Sequence, residues 1–314
     1  MREWLDVLVF GGGYNTVVVL IGTILLGTGA GAIGSFAMLK RRSLVADALA
    51  HASLLGVSIA FLLHGALGGT ERSLPVLLAG AAAAGGVAVF TIEWLVRSTR
   101  LTADTATAAI SSSFFGAGIV ALSVARRTAG ADQAGLNRLI FGSTASMTSA
   151  DAWLMAGIAA ACIVVTVVLL KPLTAVAFNE RFARTSGLPV RLLDTVLALL
   201  VTAVTLAGLQ AVGMLLIVAL LVIPAVTARL WTTHVGSLVA LAAALGAASG
   251  WIGASLSAVL PNAPAGSLIV LTAAAGFVIS LAAAPERGLV SGWIRLRRLR
   301  ARALEAAQQG EQVH

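Results

Sequence analysis

Charge is what this chain has least of. Only 11% of its 314 residues are Asp, Glu, Lys or Arg, whereas soluble globular domains carry roughly a quarter. With 59% hydrophobic residues and a mean hydropathy of +0.97, that shortfall excludes an ordinary soluble domain. The single cysteine, Cys162, lies in an apolar run and excludes a disulfide framework or a C-x-x-C thiolate site within the chain. No G-x-x-x-x-G-K-[ST] occurs, so the chain has no P-loop of its own. H-E-x-x-H and G-x-S-x-G are also missing, and Gly11-Gly12-Gly13 follows no strand pattern. Nothing marks an enzyme or a permanently bound cofactor. The net charge of +8 comes from short loops and the C-terminus. Membrane topology and anionic lipid account for it there, and no nucleic acid is implied. The start, Met1-Arg2-Glu3-Trp4-Leu5-Asp6, places two acids before the first apolar run. It does not read as a signal peptide, and the first apolar segment is expected to serve as an uncleaved insertion signal.

What the chain does contain is long apolar runs. About 20 residues cross the hydrocarbon of a bilayer as a helix. About nine such segments occur, near residues 14–39, 43–64, 74–96, 104–125, 152–170, two within 192–230 divided near Gly208–Gly213, 235–260 and 265–284. The expected fold is an all-α polytopic membrane protein, a bundle of 8–9 transmembrane helices over residues 1–290, with a basic tail at 291–314. Basic residues fall mainly in alternate loops: Lys40-Arg41-Arg42, Arg97 and Arg100, the stretch Lys171 to Arg191, Arg229, and the tail. Nine spans place all of these in the cytoplasm, with the N-terminus outside. Arg126, Arg127 and Arg138 then lie outside, against the rule, which keeps an eight-span reading with one re-entrant or amphipathic segment open. Abundant Gly and Ala allow close helix approach in lipid. Pro224 is expected to kink its segment.

The candidate chemistry is Asp47 and His51, at i and i+4 on one face of the second apolar segment. At 1.5 Å per residue they stand about 6 Å apart along the axis. An ionisable pair inside a membrane is costly and marks function by default. It reads as a metal or proton site. The plainer alternative is a helix-end Asp and a His bonded to neighbouring helices. Mixed imidazole and carboxylate donors suit Mn²⁺, Fe²⁺ or Zn²⁺ better than Ca²⁺ or Mg²⁺. The other acids, Glu93, Asp104, Asp151 and Asp194, read as interfacial or helix-start residues, and His64 and His234 as interfacial. Between Lys171 and Arg191, Asn179 is a plausible N-cap for a short helix over Glu180 to Ser186, ended by Gly187. That stretch is either a solvated connector or a docking helix for a cytoplasmic partner.

Five stretches together carry a family resemblance. They are Lys40 to His51 (KRRSLVADALAH), Leu139 to Ser143 (LIFGS), Phe178 to Pro189 (FNERFARTSGLP), Gly213 to Arg229 (GMLLIVALLVIPAVTAR), and Pro264 to Leu271 with the downstream Ala284 to Leu289. In this order they cover nearly the whole chain to about Val290, and it resembles the permease subunits of the manganese/zinc/iron ABC importers. The resemblance implies a type II ABC-importer-like permease in the bacterial inner membrane, with its C-terminus cytoplasmic. It implies a homo- or heterodimer of permeases, two cytoplasmic ATPase subunits and an extracytoplasmic metal-binding protein. It implies that Asp47 and His51 engage the metal on the translocation path. It also implies that Glu180, Phe182, Ala183 and Gly187 couple to the ATPase. The tail after Val290 departs from the pattern and carries no transport role. Two other mechanisms remain open from the residues alone: a secondary transporter relaying protons through Asp47 and His51, and a non-transporting scaffold in which the pair only links helices.

Overall fold

The computed structural model describes residues 13–40, 43–66, 74–128, 148–211, 214–260, 263–284 and Gly288. The described elements are helices: α1 Tyr14–Leu39, α2 Ser43–Ala66, α3 Leu74–Ser98, α4 Ala103–Thr128, α5 Ser149–Val168, α6 Leu170–Phe178, α7 Glu180–Thr185, α8 Val190–Ala211, α9 Met214–Trp231, α10 Val235–Val259 and α11 Ala265–Ala283. Hydrocarbon offers the backbone no hydrogen-bonding partner, so each crossing segment satisfies its own N–H and C=O groups as a helix. Among the described residues, eight of these helices are long and apolar enough to cross a membrane. α9 is an apolar helix of 18 residues. Leu139 to Ser143, Arg138 and the basic tail lie outside the described residues.

α1 is the hub. It packs against α5, α8, α9 and α10 but scarcely touches α2, its neighbour in sequence. A stripe of small residues explains the closest of these contacts. A Cβ at Gly27 would overlap the Gly246 carbonyl of α10, one at Gly31 the Ala242 carbonyl, and one at Gly250 the Thr23 carbonyl of α1. The pairing runs in opposite directions along the two helices, so they are antiparallel with their backbones in contact. In lipid, where water exclusion drives nothing, such contact is the main source of helix association. Thr23 adds a bond across the seam, its hydroxyl donating to the Gly250 carbonyl at 3.3 Å.

α2, α3 and α4 make a second group with a core of their own, including Leu54, Val57, Leu77, Ala81 and Leu122. α2 and α3 are antiparallel, with Gly56 against Gly80. α2 and α4 are parallel and in register. Asp47 meets Ser111, His51 meets Phe115 and Leu54 meets Gly118, always with the same offset along the chain.

One element goes beyond the sequence reading. The stretch from Lys171, read as either a solvated connector or a docking helix, opens within helix α6, which buries Leu173 and Val176. Pro172 is compatible with it because it stands in the first turn, where its missing N–H has no intrahelical partner to lose. Pro224 lies inside α9, which runs on to Trp231; the ring removes the N–H that would have met the Leu220 carbonyl and crowds that carbonyl.

Candidate functional site

α2 begins at Ser43, which puts Asp47 and His51 on successive turns near its start. Residues four apart on a helix share a face, and here His51 Nε2 lies 3.4 Å from Asp47 Oδ1. The other carboxylate oxygen, Oδ2, accepts a hydrogen bond from the Ser111 hydroxyl of α4 at 3.1 Å. One turn further along, the Phe115 ring meets His51 edge-on, with centroids 4.7 Å apart and planes at 62°. The imidazole is 16% exposed and the carboxylate 44%, so the ring is walled in while an oxygen stays reachable. His51 Nδ1 is buried with no hydrogen-bond partner.

The pair stands between two unlike walls. On one side a cleft of about 260 Å³ is lined by Asp47, His51, Thr107, Ser111, Ser112 and Phe115. On the other, a cleft of about 310 Å³ is closed by Val218, Ala219, Val222 and Ile223 of α9. The site therefore lies on the seam between the α2–α4 group and the rest of the bundle, with hydroxyls on one side and aliphatic carbon on the other. Among the described residues no further His, Cys, Asp or Glu completes a cluster of three. Among the described residues the site offers one carboxylate and one imidazole, fewer groups than the four that a tetrahedral metal site needs.

The residues from Phe178 to Leu188 form a separate feature. The Asn179 carboxamide oxygen accepts the Phe182 N–H at 3.0 Å and caps α7. Glu180 pairs with Arg184 along the helix. Ala183 is fully buried, whereas Phe182 is 60% and Phe178 62% exposed. Gly187 ends the element at φ +78°. Its N–H donates to the Arg184 carbonyl at 3.1 Å and the Leu188 N–H to the Ala183 carbonyl at 3.0 Å, a left-handed helix cap that favours glycine. α7 is thus pinned by Ala183 and turns Phe182 and an ion pair outward, beside the exposed Phe178 at the end of α6.

The other acids have local roles. Glu93 pairs with Arg97 at 3.0 Å. Asp151 and Thr148 form a capping box at the start of α5, and Asp194 pairs with Lys40. Asp104 stands in the first turn of α4, and His234 is the N-cap position of α10.

Sequence reasoning did not single out Ser111, Ser112 or Phe115. The available signal was three successive serines, Ser111 to Ser113, inside an apolar segment, with Thr107 one turn before the first of them.

A family model described as the ABC 3 transport family matches residues 14–284. The chain belongs to that family. Its relatives within the ABC 3 family include a manganese transport system membrane protein, MntC, of Bacillus subtilis (strain 168), 40% identical over 92% of this chain and 65% of the relative. A zinc transport system membrane protein, TroC, of Treponema pallidum is 35% identical over 91% of this chain and 94% of the relative. The chain therefore spans about two thirds of the first relative's length and nearly all of the second's. Among solved structures, PsaBC from Streptococcus pneumoniae in complex with Fab superposes with a TM-score of 0.77 at 31% identity, over 94% of this chain and 99% of that one. The resemblance and the all-α permease fold read from the sequence both stand.

Proposed function

We propose that this ABC 3 family chain is the membrane-spanning permease subunit of an ATP-driven importer of a divalent transition metal, manganese, zinc or iron, and that Asp47 and His51 hold the ion in transit. The observation that carries the reading is the convergence of a carboxylate and an imidazole, 3.4 Å apart, on the seam of a membrane bundle. The relatives named for manganese and zinc transport support the choice of cargo. Oxygen and nitrogen donors together suit these borderline cations, and donor type alone does not choose among them.

Two protein donors hold an ion weakly enough to release it. Water, or a second permease subunit across the cleft, supplies the remaining positions. The aliphatic wall on α9 gives the ion no partner, so its retained waters face the hydroxyls of α4. Alternating access follows from the two-group architecture: the α2–α4 group rocks against the α1 group, and the site on their seam opens to one side and then the other. The drive comes from cytoplasmic ATPase subunits docked on Phe178, Phe182 and the Glu180–Arg184 pair of α7, with Ala183 and Gly187 holding that helix in place. An extracytoplasmic binding protein delivers the ion. The C-terminus lies in the cytoplasm and the membrane is the bacterial inner membrane.

The test is uptake of manganese(II), zinc(II) and iron(II) by vesicles containing the chain with its partner ATPase and binding protein. Accumulation of one metal that needs ATP and persists when the proton gradient is collapsed supports the proposal. Accumulation that follows the proton gradient without ATP replaces it with a secondary transporter.

A further inference from the structure

We propose that Ser111 is a positioning residue for Asp47, one that makes the aspartate a single-oxygen ligand; the inference rests on the reading of Asp47 and His51 as the ion's path. Hydroxyls in apolar helices ordinarily turn back on their own chain. Ser53 and Ser58 of α2 do so, each donating to the carbonyl four residues earlier. Thr107, Ser113 and Ser123 of α4 do the same. Ser111 departs from that habit. It is buried, and its hydroxyl crosses to α2 and donates to Asp47 Oδ2 at 3.1 Å.

This contact engages Oδ2 from a second helix and so restrains the rotation of the carboxylate. With Oδ2 engaged, Oδ1 is the oxygen left beside His51 Nε2. The two free donor atoms then face one point from one helix. An unrestrained carboxylate would swing or chelate through both oxygens, a mode that suits large oxygen-seeking cations such as Ca²⁺. The register of α2 and α4 completes the device, because Phe115 abuts the imidazole one turn above the serine that holds the carboxylate. Ser113, two positions on, bonds its own turn, is exposed and lines neither cleft, and it serves as a neighbouring control.

The experiment compares wild type, Ser111→Thr, Ser111→Val, Ser113→Ala and Asp47→Ala in vesicles carrying the full transport complex, with manganese(II) and zinc(II) as probes. Thr and Val have nearly the same shape, so strain from added bulk is common to both and only the hydroxyl differs. Loss of a partner that orients a metal ligand costs about 10–100-fold in metal affinity. The expected result is a KM for metal raised about tenfold or more in Ser111→Val, with the maximal rate retained. Ser111→Thr and Ser113→Ala should stay near wild type. Equal behaviour of Ser111→Val and Ser111→Thr, whether both normal or both impaired, overturns the proposal, as does a loss confined to maximal rate. Full uptake by Asp47→Ala overturns instead the reading on which it rests.

Discussion

Lys40, which closes α1, and Asp194, near the start of α8, form an ion pair with side chains only 7% and 15% exposed. The pair ties the hub helix to α8, the segment that follows α7. The ammonium stands at a helix C-terminus and the carboxylate near a helix N-terminus, where the two peptide dipoles favour them. Removing the carboxylate leaves the buried Lys40 ammonium uncompensated, at about 3–5 kcal/mol. Asp194→Leu should therefore lower the thermal midpoint of the purified chain clearly, and adding Lys40→Met should recover part of the loss. An Asp194→Leu variant indistinguishable from wild type would show that the pair contributes little.

The α1–α10 seam predicts a sharp contrast between glycines. Gly27→Leu drives a side chain into the Gly246 backbone, and overpacking of this kind costs about 1–3 kcal/mol or more. Gly86, on α3, has nothing within 4 Å of the place its Cβ would occupy. Alanine there should be neutral or stabilising by up to about 1 kcal/mol through helix propensity. Folded yield after detergent extraction and thermal midpoint read both effects.

On α7, two substitutions separate docking from folding. Phe182→Ala trims an exposed ring and should leave the thermal midpoint unchanged while abolishing co-purification of the ATPase subunits. Gly187→Ala forces a side chain into a left-handed conformation at φ +78°, costing about 1–2 kcal/mol. It should weaken ATPase binding partially by loosening the end of α7. Retained ATPase binding in Phe182→Ala would remove the aromatic face from the coupling scheme.

The helices were legible because a membrane span has to satisfy its own backbone, and apolar length therefore reports structure directly. Asp47 and His51 were legible because ionisable groups stand out in apolar runs. The short helix at Glu180 was legible from its two ends, Asn179 as cap and Gly187 as stop. Ser111 was not, since a serine in a span ordinarily bonds its own turn and nothing in a linear pattern shows which hydroxyl crosses to another helix. α6 was hidden by Lys171 and Pro172, which read as an interruption although a proline in the first turn is tolerated. The register of α2 on α4 and the backbone contact of α1 with α10 depend on three-dimensional packing between segments far apart in the chain, which hydropathy does not encode.

The most direct test of the central claim is metal uptake by Asp47→Ala and His51→Ala beside wild type, at matched membrane abundance, with the same ATPase and binding protein. If the pair holds the ion in transit, both variants assemble with their partners and lose nearly all ATP-dependent uptake of the transported metal. Wild-type uptake in both variants would contradict the account and place the ion's path elsewhere in the bundle.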